Sequence, residues 1–228
     1  MNYQQILVAV DHTCLSQTAS WDDIKKLCDE GVKYHTASVC IPPCYVRYAR
    51  EYAENTLIIG TVVGFPNGYQ TAQGKAFETT EAVRHGADEI DMVINLAALK
   101  NKDFDYVKKD IAAVRNACPG AVLKVIVETC LLTEDEKVKM CRIVSDSGAD
   151  YIKTSTGFAG GGAVLEDIKL FKQNISPDLK IKAAGGIRTF EDAEAFLQHG
   201  ASRIGTSSLI KIAENNFNNQ KMRCGDDK

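Results

Sequence analysis

Four ionisable side chains lie inside otherwise apolar segments of this sequence, about 30 residues apart, which is the length of one strand–helix unit. They are the carboxylate and three amines of Asp91, Lys124, Lys153 and Lys182. Charged side chains are almost never buried without a partner, so these positions need an explanation in chemistry or in ion pairing. If the four segments are neighbouring strands, the side chains share one pocket.

Such a pocket would change the acidity of its amines. Two ammonium groups about 4 Å apart repel by about 4 kcal/mol at an effective dielectric constant of 20, which equals roughly three pKa units. The sequence therefore predicts that one of these lysines is largely neutral near neutral pH. A neutral, desolvated amine beside a cation is nucleophilic toward carbonyls and forms a Schiff base. Asp91 would supply the opposite charge and a proton relay.

A structural interpretation competes with this chemistry. Most lysines begin or end strands with the ammonium group in solvent. One more structural ion pair explains Lys124 equally well. For Lys153 and Lys182, the glycine-rich turns directly downstream favour a functional site.

Those turns predict a phosphate-binding site. Gly185 and Gly186 follow the seventh predicted strand, and the segment Gly205-Thr-Ser207-Ser208 follows the eighth, where a helix begins. In (β/α)₈ barrels, these two loops and a helix N-terminus commonly bind phosphate through backbone amides. Gly157, together with Gly160 to Gly162, is expected to complete the site. A glycine pair alone is equally typical of a tight turn, and no Walker-type spacing predicts a nucleoside triphosphate.

Apolar and amphipathic segments alternate along nearly the whole chain. The predicted strands are Ile6 to Val10, Ala37 to Ile41, Leu57 to Val63, Glu89 to Ile94, Leu123 to Val127, Tyr151 to Ser155, Ile181 to Ala184 and Arg203 to Thr206. The predicted helices are Trp21 to Gly31, Cys44 to Ala53, Thr71 to His85, Tyr106 to Ala117, Thr133 to Ser147, Val164 to Asn174, Thr189 to Gln198 and Ser208 to Asn216. Eight such units predict a TIM (β/α)₈ barrel, with an open doubly wound sheet as the alternative.

Four glycines recur where predicted helices end: Gly31, Gly86, Gly148 and Gly200. Glycine suits the left-handed residue that terminates a helix, so each is predicted to stop a helix and lead into a strand.

The bulk composition fits one globular domain over residues 1–228. Hydrophobic residues make up 45% of the chain and charged residues 25%, which are ordinary values. The net charge of -3 argues against a nucleic-acid-binding surface. No apolar run approaches the ~20 residues that cross a bilayer. From about residue 215 the sequence becomes polar, which predicts a frayed tail.

Eight cysteines are present, but the chain begins without a secretory signal pattern. They are therefore expected to be reduced thiols in the cytoplasm. Cys40 and Cys44 have no second pair at zinc-ligand spacing, so no metal site is predicted.

At these residues the chain resembles the deoxyribose-phosphate aldolases, class I aldolases of TIM-barrel fold. The matching segments run from the first predicted strand to the last and are Asp11-His-Thr, Ser38-Val-Cys40-Ile-Pro, Val62-Val-Gly-Phe-Pro66, Glu89-Ile-Asp91-Met-Val-Ile-Asn95, Leu123-Lys-Val-Ile-Val-Glu-Thr129, Tyr151-Ile-Lys153-Thr-Ser-Thr-Gly157, Lys182-Ala-Ala-Gly-Gly-Ile-Arg188 and Arg203-Ile-Gly-Thr-Ser-Ser208. The resemblance implies reversible cleavage of 2-deoxy-D-ribose 5-phosphate to D-glyceraldehyde 3-phosphate and acetaldehyde, without metal or organic cofactor. It also implies a homodimer or homotetramer.

The resemblance further implies roles for individual residues. Lys153 matches the Schiff-base lysine, Lys182 the second lysine that lowers its pKa, and Asp91 the acid/base carboxylate. The implied substrate-side residues are Asp11, Thr13, Cys40, Lys124 and Thr154, although Cys40 is equally well read as a core cysteine. The implied phosphate-binding residues are Gly157, Gly185, Gly186, Gly205, Ser207 and Ser208.

Two departures from the family pattern affect these expectations. Phe158 stands where some relatives carry a phosphate-binding lysine, so phosphate binding is expected to depend on backbone amides and on Ser207 and Ser208. The chain ends Gly-Asp-Asp-Lys228 without the tyrosine of some relatives, so proton abstraction is expected to be slower or to pass through water. Two alternatives remain open: a Schiff-base aldolase for another sugar phosphate, and a barrel that binds or isomerises a sugar phosphate without covalent chemistry.

Overall fold

The computed structural model describes residues 1–215 as a closed barrel of eight parallel strands that pair in sequence order, with β8 returning to β1. The strands are β1 Val10–Thr13, β2 Ser38–Ile41, β3 Ile59–Val63, β4 Glu89–Val93, β5 Val122–Ile126, β6 Tyr151–Lys153, β7 Lys180–Ala184 and β8 Arg203–Thr206. The predicted TIM (β/α)₈ barrel is confirmed. The open doubly wound sheet is excluded because β1 pairs with both β2 and β8.

Helices lie between the strands and cover the outside of the barrel. They are α1 Tyr3–Leu7, α2 Trp21–Tyr34, α3 Val46–Ala53, α4 Ala72–Arg84, α5 Leu96–Lys100, α6 Phe104–Ala117, α7 Glu134–Ser145, α8 Leu165–Asn174 and α9 Phe190–Gln198. A last helical segment begins at residue 209. The end of the predicted helix Ser208 to Asn216 and almost all of the predicted polar tail lie outside the described residues. No helix in the described part of the chain is long and apolar enough to cross a bilayer.

The predicted first strand is wrong in position. Ile6 and Leu7 belong to α1, and β1 begins only at Val10. Asn2 causes this difference because its side chain accepts the backbone N–H of Gln5, whose own side chain accepts the N–H of Asn2. This reciprocal capping box starts a helix that an apolar run alone does not reveal. The strands predicted from Ala37 onward agree with the structure to within two residues at each end.

Three of the predicted glycine helix stops are confirmed and one is wrong. Gly86, Gly148 and Gly200 have φ of 101°, 74° and 118°, the left-handed region that glycine favours. Gly31 instead lies inside α2, and the residue that caps the C-terminus of this helix is His35, with φ of 52°. A Cβ on Gly31 would lie 2.9 Å from Val39 Cγ1. This glycine therefore allows α2 to pack closely on β2.

The strand register sets the height of the charged side chains inside the barrel. Along β4, the apolar side chains of Ile90 and Met92 belong to the core under the helices, which leaves Glu89 and Asp91 pointing inward. Asp91 is paired in register with Lys124 of β5. Lys153 of β6 is paired with Lys182 of β7. The predicted meeting of these four side chains inside the barrel is confirmed.

Candidate active site

Seven charged side chains from six strands meet inside the barrel, and we call this group the central charge cluster. Its three acidic and four basic side chains are Asp11, Glu89, Asp91, Lys124, Lys153, Lys182 and Arg203. Six of the seven are buried, and the Arg203 side chain is 14% exposed. The solvent-facing interpretation of the three lysines is therefore wrong.

Asp91 connects all three lysines of the cluster. Lys124 Nζ lies 2.7 Å from Asp91 Oδ1, while Lys153 Nζ and Lys182 Nζ each lie 2.7 Å from Asp91 Oδ2. Two lysine side chains thus share one carboxylate oxygen. A proton can pass between Lys153 and Lys182 through this oxygen without crossing open solvent.

Asp11 holds Lys182 from the opposite side. Asp11 Oδ2 lies 2.5 Å from Lys182 Nζ, and Oδ1 accepts hydrogen bonds from Ser38 Oγ at 2.8 Å and from Arg203 at 2.6 Å. A Cβ on Gly205 would lie 3.1 Å from Lys182 Cε. The glycine therefore leaves room for the lysine side chain to reach Asp11 and Asp91.

Glu89 and Arg203 belong to the same network, and the sequence analysis assigned a role to neither. Lys124 Nζ lies 2.6 Å from Glu89 Oε2, and Arg203 crosses the barrel to reach Glu89 at 3.1 Å. Glu89 could have been found from the alternation of side chains along a strand, because it stands two residues before Asp91 and therefore lies on the same face. No comparable signal marked Arg203, because an arginine at the start of a strand normally faces solvent.

Burial and mutual attraction together shift the pKa values of the cluster. Burial alone would raise the pKa of Asp91, but the three surrounding ammonium groups hold it well below its ordinary value. Burial opposes the charged forms of Lys124 and Lys182, and their carboxylate neighbours outweigh it, so both pKa values are raised. Asp91, Lys124 and Lys182 are therefore ionised near neutral pH.

Lys153 differs from the other lysines because its pKa is lowered. Burial is the larger cause, the Asp91 carboxylate opposes it, and the positive charge of Lys182 adds to the lowering. The expectation from the sequence and the family resemblance had the right direction, but it gave repulsion from Lys182 as the main cause and desolvation as the lesser one. The charge balance of the cluster supports a neutral Lys153. Its three carboxylates match the three remaining basic side chains only when Lys153 carries no charge.

A cavity of about 390 Å³ opens at the carboxyl ends of the strands and reaches the Lys153 side chain. The candidate phosphate-binding residues lie together on its walls: Gly157, Gly185, Gly186, Gly205, Ser207 and Ser208. Thr13 lines the cavity as well. Arg188, to which the sequence analysis gave no role, is exposed and brings a permanent positive charge to the same wall.

Glycines allow the loops around this cavity to approach closely. Gly157, Gly185 and Gly186 have φ of 84°, 84° and 76°. A Cβ on Gly162 would lie 2.3 Å from the carbonyl oxygen of Gly185, so the loop after β6 and the loop after β7 touch through their backbones. Phe158 packs edge-on against Phe65 with ring centroids 5.2 Å apart and forms an apolar rim beside the cavity.

Four of the predicted substrate-side residues are buried and do not line the cavity. Asp11 and Lys124 are held in the charge cluster, as described above. Thr154 Oγ1 donates to the carbonyl of Ala184 and accepts its N–H, both at 3.1 Å, which joins the ends of β6 and β7. Cys40 is 1% exposed, and burial, with a contribution from the charge of Asp91, raises the pKa of its thiol to about 11. These environments favour structural and electrostatic roles for the four residues.

Comparison with known proteins adds an independent finding. Residues 5–214 match the model of the family described as DeoC/LacD family aldolase. The chain is 55% identical over 212 residues to the deoxyribose-phosphate aldolase of Clostridioides difficile, covering 93% of this chain and 97% of that one. Among solved structures, it resembles the aldolase QR15 with a TM-score of 0.89 at 38% identity, covering 95% of this chain and 98% of that one. It also resembles the deoxyribose phosphate aldolase of Aeropyrum pernix, described as a tetramer, with a TM-score of 0.86 at 29% identity, covering 93% and 91%.

Proposed function

Because this chain belongs to the DeoC/LacD family of aldolases, we propose that it reversibly cleaves 2-deoxy-D-ribose 5-phosphate to D-glyceraldehyde 3-phosphate and acetaldehyde. The enzyme is a lyase that works through a covalent imine on Lys153. One observation carries this proposal: of the charge cluster, Lys153 is the member that lines the open cavity, and its pKa is the one lowered among the buried lysines of the cluster.

The reaction begins at the aldehyde carbon of the open-chain substrate. The neutral amine of Lys153 attacks C1 and forms a carbinolamine, which loses its hydroxyl as water and becomes an imine. Lys182 supplies the proton that this step requires, and Asp91 Oδ2 conducts it because that oxygen lies 2.7 Å from both amines. The protonated imine is then an electron acceptor at C1.

Carbon–carbon cleavage uses this acceptor. A base removes the proton of the C3 hydroxyl, the C2–C3 bond breaks, and its electron pair moves into the C1–C2 bond to give an enamine. C3 leaves as the aldehyde carbon of glyceraldehyde 3-phosphate. Protonation at C2 and hydrolysis of the imine then release acetaldehyde and restore Lys153.

The phosphate is proposed to bind at the opposite side of the cavity. The amides of Gly157, Gly185 and Gly186, the hydroxyl of Ser207 and the guanidinium of Arg188 are the candidate donors, since all five residues line this wall. The backbone N–H of Ser208 is already donated to Thr206 Oγ1 at 3.1 Å, so its hydroxyl is the group available there. Arg188 is proposed to supply the positive charge that Phe158 cannot.

A product assay tests the substrate. Purified protein is incubated with 2-deoxyribose 5-phosphate, and both acetaldehyde and glyceraldehyde 3-phosphate are measured, with and without a chelator. Equal amounts of the two products, unchanged by the chelator, are expected. Ribose 5-phosphate and fructose 1,6-bisphosphate serve as comparison substrates, and faster cleavage of either would replace the proposed substrate by another sugar phosphate.

The compartment and the assembly are proposed from the cysteines and from a relative. Within residues 1–215 all seven cysteines are free, which supports the reducing cytoplasm as the compartment. The tetrameric Aeropyrum relative supports a homo-oligomer, either a dimer or a tetramer. Light scattering of the purified protein distinguishes these states from a monomer.

A further inference from the structure

Two members of the charge cluster lie on the side of Asp91 away from the cavity and cannot touch substrate. Glu89 is two residues before Asp91 on β4, and Arg203 is two residues before Gly205 on β8. Neither lines the cavity, whereas Gly205 does. Tyr151, two residues before Lys153, packs its ring 5.4 Å from the Arg203 guanidinium. These three residues form a lower layer beneath the reacting amine.

The contacts of this layer connect it to both ends of the proton relay. Lys124 Nζ lies between the two carboxylates of β4, 2.6 Å from Glu89 and 2.7 Å from Asp91. Arg203 in turn lies between Glu89 at 3.1 Å and Asp11 at 2.6 Å. Glu89 therefore shares Lys124 with Asp91, and Arg203 contacts Asp11 directly, so each lower-layer charge is linked to one of the two carboxylates that hold Lys182.

We propose that Glu89 and Arg203 are positioning residues that set the protonation state of Lys153 by completing the charge balance of the cluster. Without Glu89, Lys124 attracts Asp91 alone, and the cluster gains a positive charge that expels the proton from Lys153. Without Arg203, Glu89 and Asp11 lose a shared cation, and the excess negative charge draws a proton onto Lys153. The two residues therefore act in opposite directions.

The titratable groups around Lys153 come from several strands of the barrel. Asp91 of β4, Lys182 of β7 and the thiol of Cys40 on β2 face it directly. Lys124 of β5 and Asp11 of β1 stand one step further away and face Asp91 and Lys182. All five of these residues remain present when Glu89 or Arg203 is substituted, so a shift in the titration of Lys153 reports the charge of the lower layer.

The test measures how imine formation depends on pH, and it rests on the imine chemistry proposed above for Lys153. Protein is mixed with acetaldehyde between pH 5 and pH 10, reduced with borohydride, and the adduct on Lys153 is measured by mass spectrometry. Relative to the wild type, Glu89→Gln is expected to lower the pH midpoint by about one unit and Arg203→Met to raise it by about one unit, the scale of one unit charge at intermediate distance.

Two further variants separate charge balance from structural damage. Arg203→Lys and the double variant Glu89→Gln/Arg203→Met each restore the net charge, so their midpoints are expected to return close to the wild-type value. Asp110→Asn is the matched control, because Asp110 forms a fully buried pair with Lys75 at 2.5 Å between α4 and α6, outside the cluster. It is expected to lower stability while leaving the midpoint unchanged.

The outcomes are distinct. Midpoints that stay in place in both single variants, or that move in the same direction, overturn the inference. A midpoint that does not fall in Glu89→Gln overturns the role of Glu89, and a midpoint that does not rise in the Arg203 variant overturns the role of Arg203. Arg203→Gln replaces Arg203→Met if the methionine variant does not fold. Absence of an adduct on Lys153 in the wild-type protein would instead contradict the proposed imine chemistry.

Discussion

The proposed chemistry depends on one amine whose pKa is lowered, Lys153, among three cations whose pKa values are raised. Lys153 differs from Lys124 and Lys182 in the number of carboxylates that hold it. Each of the other two lysines contacts two carboxylates at 2.7 Å or less, whereas Lys153 contacts Asp91 alone. One shared carboxylate does not compensate for its burial, so among the four basic side chains of the cluster Lys153 loses its proton first as the pH rises.

Replacing Lys153 should separate activity from stability. In Lys153→Met, turnover should fall by about 10⁴-fold or more because the nucleophile is absent. The free energy of unfolding at neutral pH should not fall, since the variant removes an amine whose protonated form the folded state disfavours. Chemical denaturation alongside the product assay checks both. Lys153→Arg keeps the charge and should be equally inactive, because guanidinium forms no imine; activity in either variant would exclude Lys153 as the nucleophile.

Replacing Lys182 should change the pH dependence of the reaction. In Lys182→Leu, Asp91 Oδ2 is left to Lys153 alone, so the pKa of Lys153 should rise. Turnover at neutral pH should fall by about 10² to 10⁴-fold, the usual contribution of a positioned acid or base. The remaining activity should increase toward alkaline pH as Lys153 loses its proton. A pH–rate profile that coincides with the wild-type profile would show that Lys182 does not influence the amine.

At the scale of strands and loops, the period of two along each strand brings the charges together, and the loops shape the cavity. The backbones of the loop after β6 and the loop after β7 are in contact at Gly162 and Gly185. A side chain at residue 162 would collide with the Gly185 carbonyl. This contact holds Gly157 and Gly186 on a common wall of the cavity. Phosphate binding should therefore be more sensitive to this contact than imine formation is.

The Gly162→Ala variant tests that separation. Its Cβ would lie 2.3 Å from the Gly185 carbonyl oxygen, so the two loops must move apart. KM for 2-deoxyribose 5-phosphate should rise by roughly tenfold, a loss of about 1.4 kcal/mol in binding. Trapping of acetaldehyde on Lys153 should change by less than about twofold, because β6 is held by its own ladder. Gly120→Ala is the control, since no atom lies within 4 Å of its Cβ. Equal losses in both assays would contradict a role confined to the loops.

The sequence predicted the elements with strong periodicity and missed those defined by local hydrogen bonds. Most strands and the barrel were predictable because buried parallel strands form continuous apolar runs. The short helices α1 and α5 were not, since each spans five residues and begins with a side-chain cap at Asn2 or Asn95. Asp91, Lys153 and Lys182 stood out as charges in apolar runs. Arg203 did not, because its partners Asp11 and Glu89 are distant in sequence and only barrel closure brings them together.

At the scale of the whole molecule, the charge cluster lies in the barrel interior and couples stability to pH. Burial alone would raise the pKa values of Asp11 and Asp91, but the surrounding cations lower both below the ordinary carboxyl range. A carboxylate with a lowered pKa in the folded state stabilises the fold fully above its unfolded pKa of about 3.9. This stabilisation is lost as the pH falls from there toward the folded pKa.

Acid denaturation measures this coupling. The free energy of unfolding should change little through these two groups between about pH 5 and pH 7 and should decrease steeply below about pH 4. Asp91→Asn should lose about 3 to 5 kcal/mol at neutral pH, because the buried cations Lys124 and Lys182 lose their shared carboxylate. It should also show a shallower decrease in acid than the wild type. Urea titrations at several pH values give both quantities, and identical acid slopes would mean that Asp91 is not responsible.

The covalent role of Lys153 can be measured most directly by trapping. Wild-type protein is treated with acetaldehyde and borohydride, digested, and examined by mass spectrometry for a reduced ethyl adduct. We expect one adduct per chain, located on Lys153, with Lys124 and Lys182 unmodified. An adduct on another lysine, or no adduct while 2-deoxyribose 5-phosphate is still cleaved, would contradict imine catalysis by Lys153.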